Sequence, residues 1–98
     1  MHPMIAKRNK QIRGHILFLL NVSKMPTTRR VLELGMVDSL MVTNPDITEY
    51  LDYLEDRKYI EKIKSDDYGM SYYKLTSHGV DLIEGTTCDP GVILDVRK

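Results

Sequence analysis

Three histidines, one cysteine and fourteen carboxylates are the groups in this 98-residue chain that could ligate a metal or move a proton. His2, His15 and His78 lie at no spacing that brings them together as metal ligands. Cys88 is alone, so it offers neither a Cys-x-x-Cys site nor an intrachain disulfide, and with no catalytic pattern beside it the thiol reads as unreactive. A glycine loop able to cradle phosphate is missing, as is a Gly-x-Ser-x-Gly turn. Paired carboxylates are plentiful, but they fall on polar helix positions where solvation accounts for them. The sequence therefore points away from an enzyme, and neither metal nor cofactor is expected.

What remains is the chemistry of charge. The net charge is zero, with 14 basic and 14 acidic side chains, yet the two signs are segregated. Residues 1–30 carry Lys7, Arg8, Lys10, Arg13, Lys24, Arg29 and Arg30 and no acid, whereas residues 31–60 carry seven acids against Arg57 and Lys58. Such an asymmetry means either a polyanion-binding face with a counterweight or two halves that neutralise each other on folding or pairing. The 42% hydrophobic content suffices for one compact domain. The longest apolar run, "HILFLLNV", is too short to span a bilayer, so the chain reads as soluble and cytoplasmic, with no membrane partner.

The elements that would position these charges follow from periodicity. Ile5, Ile12, Ile16, Leu19 and Leu20 predict a first helix over about residues 4–23, with Lys7, Arg8, Lys10 and Arg13 on its polar positions. "KMPTT" breaks it, and Thr27 or Thr28 can cap a second helix whose stripe is Val31, Leu34, Val37, Leu40 and Met41, with Gly35 a weak point. Asp46 and Glu49 form a capping box at the start of "DITEYLDYLEDRKYI", a third helix with Ile47, Leu51 and Leu54 inward and Tyr50 beside them. Acids early in that helix and Arg57 and Lys58 at its end suit its dipole, but Asp52, Glu55 and Asp56 have no such local explanation. From Tyr59 the period changes. "YIEKIKS" and "MSYYKLT", separated by "DDYG", predict a two-stranded ribbon, and Thr76 caps a short last helix that stops at Gly85. Residues 86–98 form a tail whose Pro90-Gly91 turn precedes Val92, Ile93, Leu94 and Val96, apolar enough to dock on this chain or a partner.

The fold class expected is α+β, mostly helical: three helices, a two-stranded β-wing, and a short C-terminal helix within residues 1–85. At "LDYLEDRKYIEKIKSDDYGMSYYKLTSHGVDLIEG" the sequence resembles the winged helix-turn-helix regulators of the MarR, ArsR and PadR type, in a pattern covering most of residues 10–85. The ending "GVDLIEG" with "DPGV" a few residues later also resembles the short winged-helix proteins of Mu-like phages.

That resemblance implies a small transcriptional regulator that binds double-stranded DNA as a homodimer on a two-fold site, with its second helix across the backbone, its third in the major groove and its wing on neighbouring phosphates. Thr28, Arg29 and Arg30 then suit a phosphate, while a cap with two solvated arginines explains them equally. Thr48 and Tyr53 are candidates for base edges or sugars, and Glu49 or Asp52 could accept from a cytosine amine, although carboxylates beside phosphates more readily read as a solvated face. Lys62, Lys64 and Lys74, with Tyr68 near the tip, could grip a backbone. Asp66 and Asp67 oppose this, and lysines on a ribbon edge also serve to prevent aggregation. The acidic third helix and the neutral total charge leave an alternative open, a winged-helix protein–protein interaction module without significant DNA binding.

Overall fold

The structure, a computed structural model, describes residues 3–40, 47–64 and 71–94. The Asp46 capping box, Met41, the 65–70 turn with Asp66, Asp67 and Tyr68, and Val96 lie outside the described residues, as do the side chains of Ile5, Val37 and Leu40. Among the described residues the fold is α+β and mostly helical, with four helices and a small three-stranded antiparallel sheet. In order, the elements are α1 (Pro3–Ser23), β1 (Thr27–Thr28), α2 (Arg29–Leu40), α3 (Thr48–Asp56), β2 (Ile60–Lys64), β3 (Ser71–Leu75) and α4 (Ser77–Ile83). No helix among the described residues is long and apolar enough to cross a membrane.

Helix α1 buries Ile12, Ile16, Leu17 and Leu20 and ends where Lys24 turns left-handed, at φ 54, with its N–H on the Leu20 carbonyl at 3.2 Å. The next residues give the first difference from the sequence reading. Thr27 and Thr28 do more than start a helix: they form β1, which pairs antiparallel with β3 through Thr27↔Tyr73 and Thr28↔Tyr72. The sheet order is β1-β3-β2, so the expected two-stranded ribbon is a three-stranded sheet. Two β-branched residues after Pro26 favour extended backbone, but a two-residue strand has no periodicity by which to reveal itself.

The second difference is the rotation of α2. Leu32 and Met36 are buried, whereas Val31 and Leu34, assigned above to the core, are more than half exposed. Both pairs lie at helical spacing, so the pattern alone allows either stripe inward. Packing of Leu32 and Met36 into the core cluster selects between them. Gly35 is where α1 and α2 approach: a Cβ there would stand 2.6 Å from Leu19 Cδ1.

Helix α3 buries Leu51 and Leu54 beside Ile47, its cap residue, which makes no side-chain capping bond. Tyr50 donates to Asn9 Oδ1 at 2.9 Å, tying α3 to α1. The helix stops in a Schellman motif: Lys58 N–H bonds the Glu55 carbonyl and Tyr59 N–H the Leu54 carbonyl, both at 3.0 Å, with Lys58 at φ 68. That reversal sends the chain into β2. Strands β2 and β3 pair from Ile60↔Leu75 to Lys64↔Ser71, placing Ile60 and Tyr73 in the core. Thr76 caps α4 by accepting from Gly79 N–H at 3.2 Å and donates to the Lys58 carbonyl. Gly79 carries no side chain because a Cβ would stand 2.3 Å from the Tyr59 carbonyl oxygen.

Candidate nucleic-acid interface

The candidate residues at the start of α2 are already paired within the chain. Thr28 Oγ1 accepts from Val31 N–H at 3.4 Å, a long capping bond. Arg29 Nε donates to Glu33 Oε2 at 3.0 Å, and Arg30 Nη1 lies 3.8 Å from the other oxygen of the same carboxylate. Arg30 remains largely in solvent, its side chain 77% exposed, so the weaker of the two contacts leaves its guanidinium accessible.

The ribbon lysines divide. Alternation along β2 puts Ile60, Lys62 and Lys64 on one face and Glu61 and Ile63 on the other. Lys62 stands opposite Tyr73 and Lys64 opposite Ser71, both lysines exposed on an edge strand. Lys74 is opposite Glu61 on the other face, its Nζ 3.7 Å from the Glu61 carboxylate. The register thus brings Lys62 and Lys64 together and separates Lys74 from them.

Thr48 is exposed at the first position of α3. The outward face beyond it carries Glu49, Asp52, Glu55 and Asp56, every one exposed. Tyr53 faces elsewhere. The Arg13 guanidinium lies 3.9 Å over its ring and that of Arg57 5.0 Å from it, two cation–π contacts that hold the ring between α1 and the end of α3. Against its hydroxyl lies Gly91, where a Cβ would fall 2.0 Å from the Tyr53 oxygen.

This second cluster is where the tail is held. Asp89, with a side chain only 3% exposed, accepts from the Tyr59 hydroxyl at 2.6 Å and from Gly91 N–H at 2.7 Å, and Arg57 Nη1 lies 3.8 Å away. Arg13 Nη1 donates to the Gly91 carbonyl at 3.0 Å, and Ile93 N–H bonds the Lys10 carbonyl at 3.0 Å. Val92 is buried. Burial pushes the Asp89 carboxyl up, but the Tyr59 hydroxyl, the Gly91 N–H and the Arg57 and Arg13 guanidiniums outweigh it and bring its pKa below the ordinary value. For Tyr59, burial, the hydrogen bond to Asp89 and the charge of that carboxylate push the phenol up to about 12. A phenol so held is a donor, not a nucleophile or base, and the cluster acts as a latch.

Part of this latch is visible in the sequence. Asp-Pro-Gly marks a turn in which the carboxylate takes the N–H two residues on. Nothing local marks Arg13, Arg57 or Tyr59 as its partners, because they come from α1 and the α3–β2 junction. Among the described residues no group of three or more His, Cys, Asp or Glu side chains is placed to hold a metal ion. No family model matches the chain, and neither a curated protein nor a solved structure does.

Proposed function

We propose that this chain is a winged-helix protein that binds duplex DNA through its backbone and acts as a small transcriptional regulator. The observation that carries the reading is the arrangement of α2 and α3 followed directly by a β-ribbon, in a sheet of order β1-β3-β2, whose edge strand turns Lys62 and Lys64 to solvent on one face. Arg30, exposed at the start of α2, is the third anchor, with Arg29 and Thr28 beside it. Tyr53 is committed to the tail and Lys74 to the opposite face of the ribbon, so neither belongs to the contact set. Contacts of this kind grip phosphates without reading sequence. The four carboxylates on α3 oppose them, which makes binding modest and salt-sensitive.

Those carboxylates favour a second reading, in which the outward face of α3 receives a basic protein surface and duplex binding is negligible. Anisotropy titrations of random duplex DNA across a salt series separate the two. Lys62→Ala with Lys64→Ala should flatten the slope of log K against log salt by roughly 2, whereas Lys74→Ala should leave it near the wild-type value. Asp52→Asn with Asp56→Asn should raise affinity on every duplex alike. Absence of binding at low salt by both the wild type and the Asp52, Asp56 variant would reject DNA binding and leave the interaction module.

A further inference from the structure

The end of α1, the link to β1, the end of β3 and α4 border a pocket of about 370 Å³, within the size range of small-molecule sites. Its floor is aliphatic, made by Leu20, Leu75 and Val80, with Met25 and Pro26 as a wall. Met25 is 65% exposed, a large apolar side chain that the fold itself leaves uncovered. Four polar side chains line the same space: Asn21, Lys24, Lys74 and Glu84. Among the described residues the Asn21 carboxamide, the Lys24 ammonium and the Glu84 carboxylate have no partner in the chain. Lys74 has Glu61, 3.7 Å away and about half exposed like itself, a contact that contributes little. Lys24 also holds φ 54, a left-handed position that glycine fills at least cost, and the negative end of α1 attracts a cation without requiring one in that conformation. A strained residue whose ammonium serves nothing within the fold points to a ligand.

We propose that this pocket binds a small aliphatic monocarboxylate. The charges select the head group. Antiparallel pairing of Thr27 with Tyr73, carried one step further, sets residue 26 beside residue 74, so Lys24 and Lys74 reach the pocket from neighbouring stretches of backbone. Two ammoniums suit a carboxylate, and the Asn21 amide supplies a further donor. Glu84 comes from the other side of the joint, at the end of α4, and repels a second anionic group, which disfavours dicarboxylates and phosphate. The floor selects the body. None of the described residues that line the pocket is aromatic, so a ring has nothing to stack on, whereas Leu20, Leu75 and Val80 bury an aliphatic chain. At roughly 30 Å³ per heavy atom, the share of a water molecule in the liquid, the pocket has room for about a dozen heavy atoms, a ligand near the size of octanoate. The inference is independent of DNA binding.

Titration of the isotope-labelled full chain with sodium octanoate, followed in amide proton–nitrogen correlation spectra, tests it. Saturable shifts should centre on the amides of Asn21, Lys24, Leu75 and Val80, with a dissociation constant on the order of 1 mM for a ligand of this size. Hexanoate, two methylenes shorter, should bind roughly 15-fold more weakly, since each methylene is worth about fourfold. Octylammonium and suberate, which keep the chain but reverse or double the charge, should give no saturable shift at these amides. Lys24→Gly removes the ammonium and relieves the left-handed backbone, so the fold is kept, and it should weaken octanoate binding roughly 5-fold. Lys74→Ala should weaken it to a similar extent. No saturable shift at about 10 mM octanoate, shifts confined to other amides, octylammonium binding as tightly as octanoate, or an affinity unchanged in both lysine variants would each overturn the inference.

Discussion

Gly14→Ala is a substitution for which local and tertiary reasoning give opposite signs. Gly14 lies inside α1, where alanine is favoured over glycine by about 1 kcal/mol, so helix propensity alone makes the change stabilising. The tail reverses this. A Cβ at position 14 would stand 1.8 Å from the Ile93 carbonyl oxygen and 2.7 Å from its carbonyl carbon. An unstrained carbon–oxygen contact is about 3.3 Å, so the tail backbone must retreat by roughly 1.5 Å. Ile93 N–H then loses the Lys10 carbonyl, a bond contributing about 1 kcal/mol, and Val92 rises out of the core at a cost of about 2 kcal/mol. Set against the gain in helix propensity, the net expectation is a loss of about 2 kcal/mol in urea unfolding, with faster hydrogen exchange at the Ile93 amide. In an Asp89→Ala background, where the latch is already open, the same glycine change should stabilise by about 1 kcal/mol. Stabilisation of the otherwise wild-type chain by Gly14→Ala would refute the docked tail.

The latch and the end of α3 give three further expected outcomes. The Asp89 pKa is depressed on folding, so its contribution is present above the unfolded value and is lost as pH falls through the lower folded one. Asp89→Asn should therefore remove stability at neutral pH but little in strong acid, as read from urea midpoints across a pH series. Tyr59 has the opposite sign: its phenol rises to about 12, so the wild type should lose stability between about pH 10 and 12, and Tyr59→Phe, less stable at neutral pH for want of the bond to Asp89, should lack that decline. Lys58 holds a left-handed conformation at φ 68 that favours glycine, and Lys58→Gly should raise the urea midpoint by the equivalent of about 1 kcal/mol. An unchanged or lowered midpoint would mean that the Lys58 side chain contributes more than its backbone strain costs.

The parts of this protein whose signals are local are legible in neighbouring residues. The extent of α1 follows from Ile12, Ile16 and Leu20, the inward face of α3 from Ile47, Leu51 and Leu54, and the end of α4 from Gly85 at φ 84, because a helix period and a left-handed stop are written in neighbouring residues. Segregated charge was equally plain, as was the shift of period at Tyr59. Tertiary packing chose which of two stripes on α2 faces inward, since Val31 with Leu34, three apart, and Leu32 with Met36, four apart, both fit a helix. It also decided that Lys62 and Lys64 share a face without Lys74, which depends on strand register, and that Tyr53 lies between Arg13 and Arg57 beneath Gly91. Each of these rests on contacts between residues far apart in the chain, whose energies come from burial and from shared hydrogen bonds, and a one-dimensional pattern carries no record of which distant surface a side chain will meet.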